Sequence, residues 1–416
     1  MTKTTPNSER ALLVGISYKE CRRYLAEESL LELKELVFSA GAEVVGTFLQ
    51  VRSHPDRAYL VGRGKLEQIG TSLERLSADL VIFDQELTSA QLRNLEEFLQ
   101  VKVIDRSELI LDIFAQRAGS REGKLQVELA QLEYLLPRLS GKGSALSRLG
   151  GGIGTRGPGE TKLEVDRRAI RIRLVRIKKA LNRLKARRVL QRRKRQGIPI
   201  PTVSLVGYTN AGKSTLFNAL ANETNHVSSR MFATLDPLVR KISLDAGQEA
   251  LLTDTVGFVR KLPHTLVAAF HATLEETLES DLILHVIDVS HPEHQALREA
   301  VYAVLSEIGL ASTPIVEAYN KVDQVRQVPF IDTTYQHVAI SARNGENLPQ
   351  LLETIQSVLN RNFRDVQLTI PFHRGDIVSR LRESARIQSQ EYHEDGIHIQ
   401  ASLPLVDFGR FQQFVN

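Results

Sequence analysis

Read for apolar spacing alone, the chain changes period twice. From residue 11 to about 104, the apolar runs ALLVGI, AEVVGTFLQ, AYLVG, DLVIFD and VKVID alternate with stretches around residues 29–39, 65–76 and 89–99, where apolar residues recur every three or four positions. The runs predict strands and the stretches amphipathic helices, and this alternation predicts a mainly parallel sheet with helices on its faces. Leu125, Leu129, Leu132, Leu136 and Leu139 then follow at steps of 4, 3, 4 and 3. After a glycine-rich stretch the seam resumes through Leu163, Ile170, Leu174, Ile177, Leu181 and Leu184, at steps of 7, 4, 3, 4 and 3. Two heptad-patterned helices joined by such a stretch predict an antiparallel hairpin, each helix burying its stripe against the other. The second helix is expected over residues 160–196, a rod of roughly 50 Å at 1.5 Å per residue. Arg167 and Arg188 interrupt the seam, so imperfect pairing is expected there.

GIPIP at residues 197–201 ends the rod, since proline cannot continue a helix. Strand–helix alternation resumes over residues 202–359. The last fifty residues read as a strand (VQLTI), a helix over residues 376–386, and a hairpin in IQSQEYHEDGIHIQASL turning at Asp395–Gly396. The expected class is α/β. A small α/β domain (1–113) leads to a long antiparallel helical hairpin (114–196), a second α/β domain (197–361) and a small α+β domain (362–416).

Composition adds little until charge is placed along the chain. Of 416 residues, 42% are hydrophobic and 25% charged, as in ordinary soluble proteins. The lone Cys21 excludes an intramolecular disulfide and suits a reducing compartment. No stretch is long and apolar enough for a membrane span or signal peptide, so a cytoplasmic protein is expected, meeting membranes only through a partner. The net charge is only +5, yet residues 156–195 hold seventeen Lys and Arg against Glu160, Glu164 and Asp166, a local +14 that leaves the remainder at −9. A concentrated basic element with almost no acids in helical reach points to a polyanion, nucleic acid, over a merely solvated helix face.

The chemistry is carried by the third region. GYTNAGKS (Gly207, Tyr208, Thr209, Asn210, Ala211, Gly212, Lys213, Ser214) fits G-x-x-x-x-G-K-[ST], follows the apolar run TVSLV and opens a helix beginning with Ser214 and Thr215. Loop amides and the helix N-terminus would hold phosphate oxygens, Lys213 would reach the β- and γ-phosphates, and Ser214 would ligate Mg²⁺. NKVD supplies Asn320, Lys321 and Asp323. The Asp323 carboxylate can accept from guanine N1–H and its exocyclic amine, a donor pair that adenine lacks. SAR (Ser341, Ala342, Arg343) can offer backbone amides to the guanine oxygen. DTVGF gives Asp254 to Mg²⁺ through water and the Gly257 amide to the γ-phosphate. Thr234, in FATLDP, can ligate Mg²⁺ only while GTP is bound, so its loop would order with GTP. These motifs make 197–361 the expected P-loop GTPase domain, with Lys213, Thr234 and Gly257 as its expected catalytic set and Mg²⁺ with GTP or GDP as the expected cofactor. VGRGK at residues 61–65 lacks both the full spacing and the following Ser or Thr, and reads as a plain turn into a helix.

From end to end the chain is similar to the HflX family of ribosome-associated GTPases, within the translation-factor-related group. SHPDRAYLVGRGKLEQI, VIFDQELTSAQLRNLE, QVELAQLEYLLPRL, GGIGTRGPGETKLE, FATLDP, DTVGFVRKLP and HVIDVSHP carry the resemblance. It implies that the hairpin enters the large ribosomal subunit and touches ribosomal RNA, and that the GTP-bound protein separates or rescues stalled ribosomes. A GTP-switched RNA-binding factor that occupies the large subunit for assembly or silencing is the alternative. On that resemblance the glycine-rich tip would approach RNA closely while Arg148, Arg156 and Lys162 neutralise phosphates. A monomer is expected. Small regulatory GTPases place a glutamine after the DxxG glycine to orient the attacking water. This chain has Phe258 there, so slow hydrolysis by the isolated protein and stimulation by the ribosome are expected.

Overall fold

Nine residues, RALLVGISY, form the first strand, β1 (Arg10–Tyr18), and Ala11 to Ser17 are all buried because neighbours cover both of its faces. The computed structural model describes residues 8–18, 23–139, 162–194, 200–221, 231–232, 238–244, 248–255, 257–261, 280–310, 313–327, 334–361 and 363–415. They fall into two compact units, the first made of residues 1–184, 228–236 and 259–272, the second of the remainder.

In the first unit β1 joins β2 (Glu43–Arg52), β3 (Leu80–Phe83) and β4 (Lys102–Asp105) in a wholly parallel sheet of order β2-β1-β3-β4. The crossovers are α1 (Arg23–Ala40), α2 (Arg63–Leu76) and α3 (Ser89–Leu99), followed by α4 (Arg106–Arg117). Leu12, Val14 and Phe83 from the sheet meet Leu66, Ile69 and Leu95 from the helices in one apolar core. Thr88 starts α3 with a reciprocal capping box to Gln91, and the Asp105 carboxylate caps α4 by accepting from the Glu108 amide. The run AYLVG is not a strand. Asp56 and Leu60 exchange backbone hydrogen bonds in a closed turn, and Leu60 takes a left-handed φ of +66° while packing into the core with Val61. A short apolar run has the same spacing in a buried turn as in a strand.

Asp84 directly follows β3 and is buried with Arg106. Asp84 Oδ1 accepts from Arg106 Nη1 at 2.8 Å, Ser29 Oγ donates to both carboxylate oxygens, and Arg106 Nη2 lies 2.8 Å from Glu32 Oε1. Lys261, which belongs to the same unit, also pairs with Asp84. Burial alone would raise the Asp84 carboxyl pKa, but the Lys261 and Arg106 charges overcome it and hold it below the usual range.

The seam residues close α5 (Arg121–Arg138) onto α6 (Lys162–Lys194). Leu129, Leu174 and Ile177 are buried between them, flanked by Leu125, Leu132, Leu136, Ile170 and Leu181. Heptad lettering puts Glu128 and Arg173 both at g, and Glu133 and Lys178 both at e. Arg173 Nε lies 2.6 Å from Glu128 Oε1 and Lys178 Nζ 2.8 Å from Glu133 Oε1. Like-lettered flanking positions meet only when the helices run in opposite directions, so the pair is antiparallel. At 33 residues α6 is about 50 Å long. Its outer face exposes Val165, Ile172 and Val175 among arginines and lysines. The glycine-rich stretch with Arg148 and Arg156 lies outside the described residues, as do the side chains of Lys162 and Arg188; Arg167 is half-buried.

The second unit holds a six-stranded sheet of order β10-β9-β8-β5-β7-β6. Its strands are β5 (Thr202–Gly207), β6 (Leu238–Ser243), β7 (Glu249–Asp254), β8 (Leu282–Asp288), β9 (Ile315–Asn320) and β10 (Gln336–Ala339), with only the edge strand β6 antiparallel to its neighbour. Helix α7 (Lys213–Ala221) follows β5, α8 (His294–Glu307) joins β8 to β9, and α9 (Leu348–Asn360) follows β10. β5, β8 and β9 are almost wholly buried, so they are mostly apolar, with Ser204, His285 and Glu317 as buried polar members. A three-stranded antiparallel sheet, β11 (Phe363–Ile370), β13 (Gly396–Pro404) and β12 (Arg386–His393), ends the chain, with α10 (Gly375–Ser384) and α11 (Leu405–Phe411). Residues of these strands and helices share one core. His393 pairs with Gly396, so Glu394 and Asp395 make the hairpin turn and Gly396 opens β13.

Candidate functional site

In an open α/β sheet the carboxyl ends of the strands border the ligand crevice. Here β5, β7, β8 and β9 deliver Gly207, Asp254, Asp288 and Asn320 to that edge, so four separate sequence motifs converge there.

The loop from Gly207 to Gly212 is tightly specified. Gly207 has φ +152°, and a Cβ on it would meet the Val286 carbonyl oxygen at 2.3 Å. Gly212 has φ +97°, and a Cβ there would meet Asn320 Nδ2 at 2.2 Å. Neither position tolerates a side chain. Asn210 supplies a third positive φ, +63°. Lys213 opens α7 and is buried, with Nζ donating to the Gly207 carbonyl at 3.0 Å and the Tyr208 carbonyl at 2.8 Å. Burial lowers its pKa to about 8, against the Asp254 charge, which acts to raise it. The next residue, Ser214, donates its hydroxyl to Asp254 Oδ2 at 3.0 Å, and Thr215 continues the first turn of α7. A hydroxyl and a carboxylate side by side are hard oxygen donors of the kind Mg²⁺ selects.

Gly257 lies against this loop. A Cβ on it would come within 2.8 Å of Thr209 Cγ2 and 2.9 Å of Lys213 Nζ. Phe258 follows with its ring buried and its backbone joined to the loop: the Phe258 amide donates to the Gly207 carbonyl at 3.1 Å, and the Thr209 amide to the Phe258 carbonyl at 2.8 Å. Thr234 lies outside the described residues.

The base-reading side is a network of short hydrogen bonds. Asn320 Nδ2 donates to the Ala211 carbonyl at 2.9 Å while its Oδ1 accepts from the Ala342 amide at 2.9 Å, tying the phosphate loop to NKVD and SAR. Ser341 donates to Asp323 Oδ1 at 2.6 Å, which orients that carboxylate. Arg343 is exposed beside them. Lys321 takes a left-handed φ of +69°, and its ammonium lies 2.6 Å from Asp288 Oδ2. Asp288 is absent from the expected site. It stood in HVIDVSHP as the end of a strand, and only the pairing of β8 with β9, which sets Asp288 opposite Asn320, brings it to Lys321.

Residues 27–115 match the family model described as GTP-binding GTPase N-terminal, residues 117–195 that of GTP-binding GTPase Middle Region, and residues 202–321 that of 50S ribosome-binding GTPase. The chain is 48% identical to GTPase HflX of Caldanaerobacter subterraneus subsp. tengcongensis over 416 residues, covering 100% of this chain and 96% of that one. It is 43% identical to GTPase HflX of Escherichia coli K12, covering 97% and 95%. Among solved structures it is similar to a GTP-binding protein from Sulfolobus solfataricus in complex with GDP, at 26% identity and a TM-score of 0.45, covering 85% of this chain and 99% of that one.

Proposed function

Since the chain belongs to the HflX family of GTPases, and so hydrolyses GTP, we propose that its nucleotide state governs binding of the basic hairpin to ribosomal RNA of the large subunit. In the GTP state the bound protein separates or rescues stalled ribosomes, and the ribosome in turn stimulates hydrolysis. The working parts are residues 1–113 and 114–196 as the ribosome-binding region, 197–361 as the switch, and 362–416 as an appended domain. The protein acts in the cytoplasm as a monomer.

One observation carries this reading. Residues 228–236, which carry Thr234, and residues 259–272, which follow Gly257, belong to the same compact unit as α5 and α6 up to Leu184. Ahead of Thr234, the Met231 amide donates to Ser39 Oγ at 2.9 Å and the Phe232 ring meets Phe114 edge-on, with centroids 4.5 Å apart. After Gly257, Arg260 Nη1 lies 3.2 Å from Glu28 Oε2, the Arg260 amide donates to Glu32 Oε1 at 3.2 Å, and Lys261 donates to Ser29 Oγ at 2.9 Å and pairs with Asp84. A γ-phosphate that pulls Thr234 and Gly257 toward itself acts on both anchored segments at once.

At the nucleotide, Asp323 and the Ser341–Ala342 backbone select guanine, Lys321 covers the base, and Lys213 with the loop amides holds the phosphates. Ser214, Asp254 through water and Thr234 would hold a Mg²⁺, which would supply positive charge against the negative charge that develops on the phosphates. In α6 and its flanks, seventeen cations between residues 156 and 195 supply a salt-sensitive grip on phosphates. The test is charge reversal at Arg148, Arg156 and Lys162, each to Glu, in the full chain. Pelleting with large subunits at moderate salt is expected to collapse while GDP affinity stays unchanged. Undiminished pelleting contradicts the reading. Light scattering of intact ribosomes with GTP then separates subunit dissociation from mere occupancy of free large subunits.

A further inference from the structure

Phe258 leaves a chemical gap. Hydrolysis needs a water held in line with the bond between the β- and γ-phosphates, and the residue after Gly257, which does this as glutamine in small GTPases, has no polar side-chain atom here. Its ring is buried and its backbone is fixed to the phosphate loop at both Gly207 and Thr209.

The side-chain atoms nearest a Cβ built on Gly257 are Thr209 Cγ2 at 2.8 Å and Lys213 Nζ at 2.9 Å. Lys213 already donates to two loop carbonyls and serves the phosphates. Thr209 is different. It is 7% exposed, and its hydroxyl oxygen is fully buried with no hydrogen-bond partner among the described residues. A buried hydroxyl without a partner is destabilising, so such groups are rare and each calls for an explanation, a catalytic role among them. The loop pattern G-x-x-x-x-G-K-[ST] leaves this position open, so nothing about holding phosphate with backbone amides requires threonine. The Thr209 amide donates to the Phe258 carbonyl, which fixes the Cα beside Gly257. The methyl group faces Gly257, and one step between staggered rotamers exchanges methyl for hydroxyl.

We propose that Thr209 is a catalytic residue: its hydroxyl accepts a hydrogen bond from the attacking water and donates to a γ-phosphate oxygen, taking the place of the missing glutamine. The water oxygen bonds to the γ-phosphorus as the bond to the β–γ bridging oxygen breaks. The electron pair of that bond leaves with GDP, both water protons end on the inorganic phosphate, and Thr209 is unchanged. This inference rests on the GTPase activity of the chain and not on its ribosomal role, so the two fail separately.

The test is single-turnover GTP hydrolysis by the full-length protein carrying Thr209→Val, which keeps the shape and loses the hydroxyl, or Thr209→Ser, which keeps the hydroxyl. Val is expected to hold GDP and a non-hydrolysable GTP analogue within about twofold of the parent, yet to hydrolyse about tenfold or more slowly, in keeping with loss of one transition-state hydrogen bond. Ser should hydrolyse within about threefold of the parent. The GDP–aluminium fluoride complex should form with the parent and Ser but be weakened about tenfold in Val. Parent-like hydrolysis by Val overturns the proposal. So does a Ser variant as slow as Val, or a loss of analogue affinity that accounts for the whole loss of rate. If Val fails to bind GDP, Thr209→Ala is read by the same criteria.

Discussion

Asp323 and Lys213 show how far single residues reach. Ser341 orients Asp323 by a 2.6 Å hydrogen bond, which fixes the carboxylate proposed to accept from guanine. Asparagine would put one donor where guanine needs an acceptor and would suit xanthine, which carries a carbonyl at that position. Asp323→Asn is expected to weaken GTP binding by about a hundredfold and to gain xanthosine triphosphate binding, read by displacement of a fluorescent nucleotide. Unchanged guanine preference would remove Asp323 from the site. Lys213 gives a pH signature. Burial holds its pKa at about 8 in the free protein, and bound phosphates raise it again. Nucleotide binding therefore takes up protons at about pH 8.5 and takes up almost none below about pH 7, so affinity falls as pH rises through the upper window. Calorimetry in buffers of different ionisation enthalpy reads this directly, and zero uptake at the higher pH contradicts it. Most of these residues were legible because each motif sits in consecutive positions. Asp288 was not, because its partner Lys321 is reached only across paired strands.

At the scale of elements, the hairpin was the most legible part. A 4-3 apolar period names both helices, and the match of Glu128 with Arg173 and of Glu133 with Lys178 follows once they run antiparallel. Ile177 is the most buried residue of the seam, at 1% exposure. Ile177→Ala is expected to cost about 3 kcal/mol in the hairpin. The readout is faster amide hydrogen exchange in α5 and α6, with the six-stranded sheet unchanged; unchanged protection in the hairpin would mean the seam does not hold it. The run AYLVG shows the opposite limit. Its apolar residues are buried as a strand's would be, but a backbone turn at Asp56–Leu60 decides the conformation, and spacing does not encode that turn. The buried group of Asp84, Arg106, Glu32 and Ser29 was invisible for a related reason: its members lie up to 77 positions apart and carry no common motif.

For the molecule as a whole, the informative feature is the contrast between residues 156–195, the basic rod with its flanks, at +14 and a remainder at −9. Among the described residues no helix is long and apolar enough to cross a membrane, and the described side chains of the rod expose Val165, Ile172 and Val175 among its cations. The proposed role joins that rod to a guanine-reading switch through Met231, Phe232, Arg260 and Lys261. Coupling of this kind is reciprocal: if GTP favours the RNA-bound form, RNA must favour GTP. Equilibrium binding of the full-length protein to purified large ribosomal subunits, at one fixed salt concentration and with either GDP or a non-hydrolysable GTP analogue, tests it most directly. Affinity about tenfold or more tighter with the analogue is the predicted result. Equal affinity in the two states, or binding in neither, would contradict it.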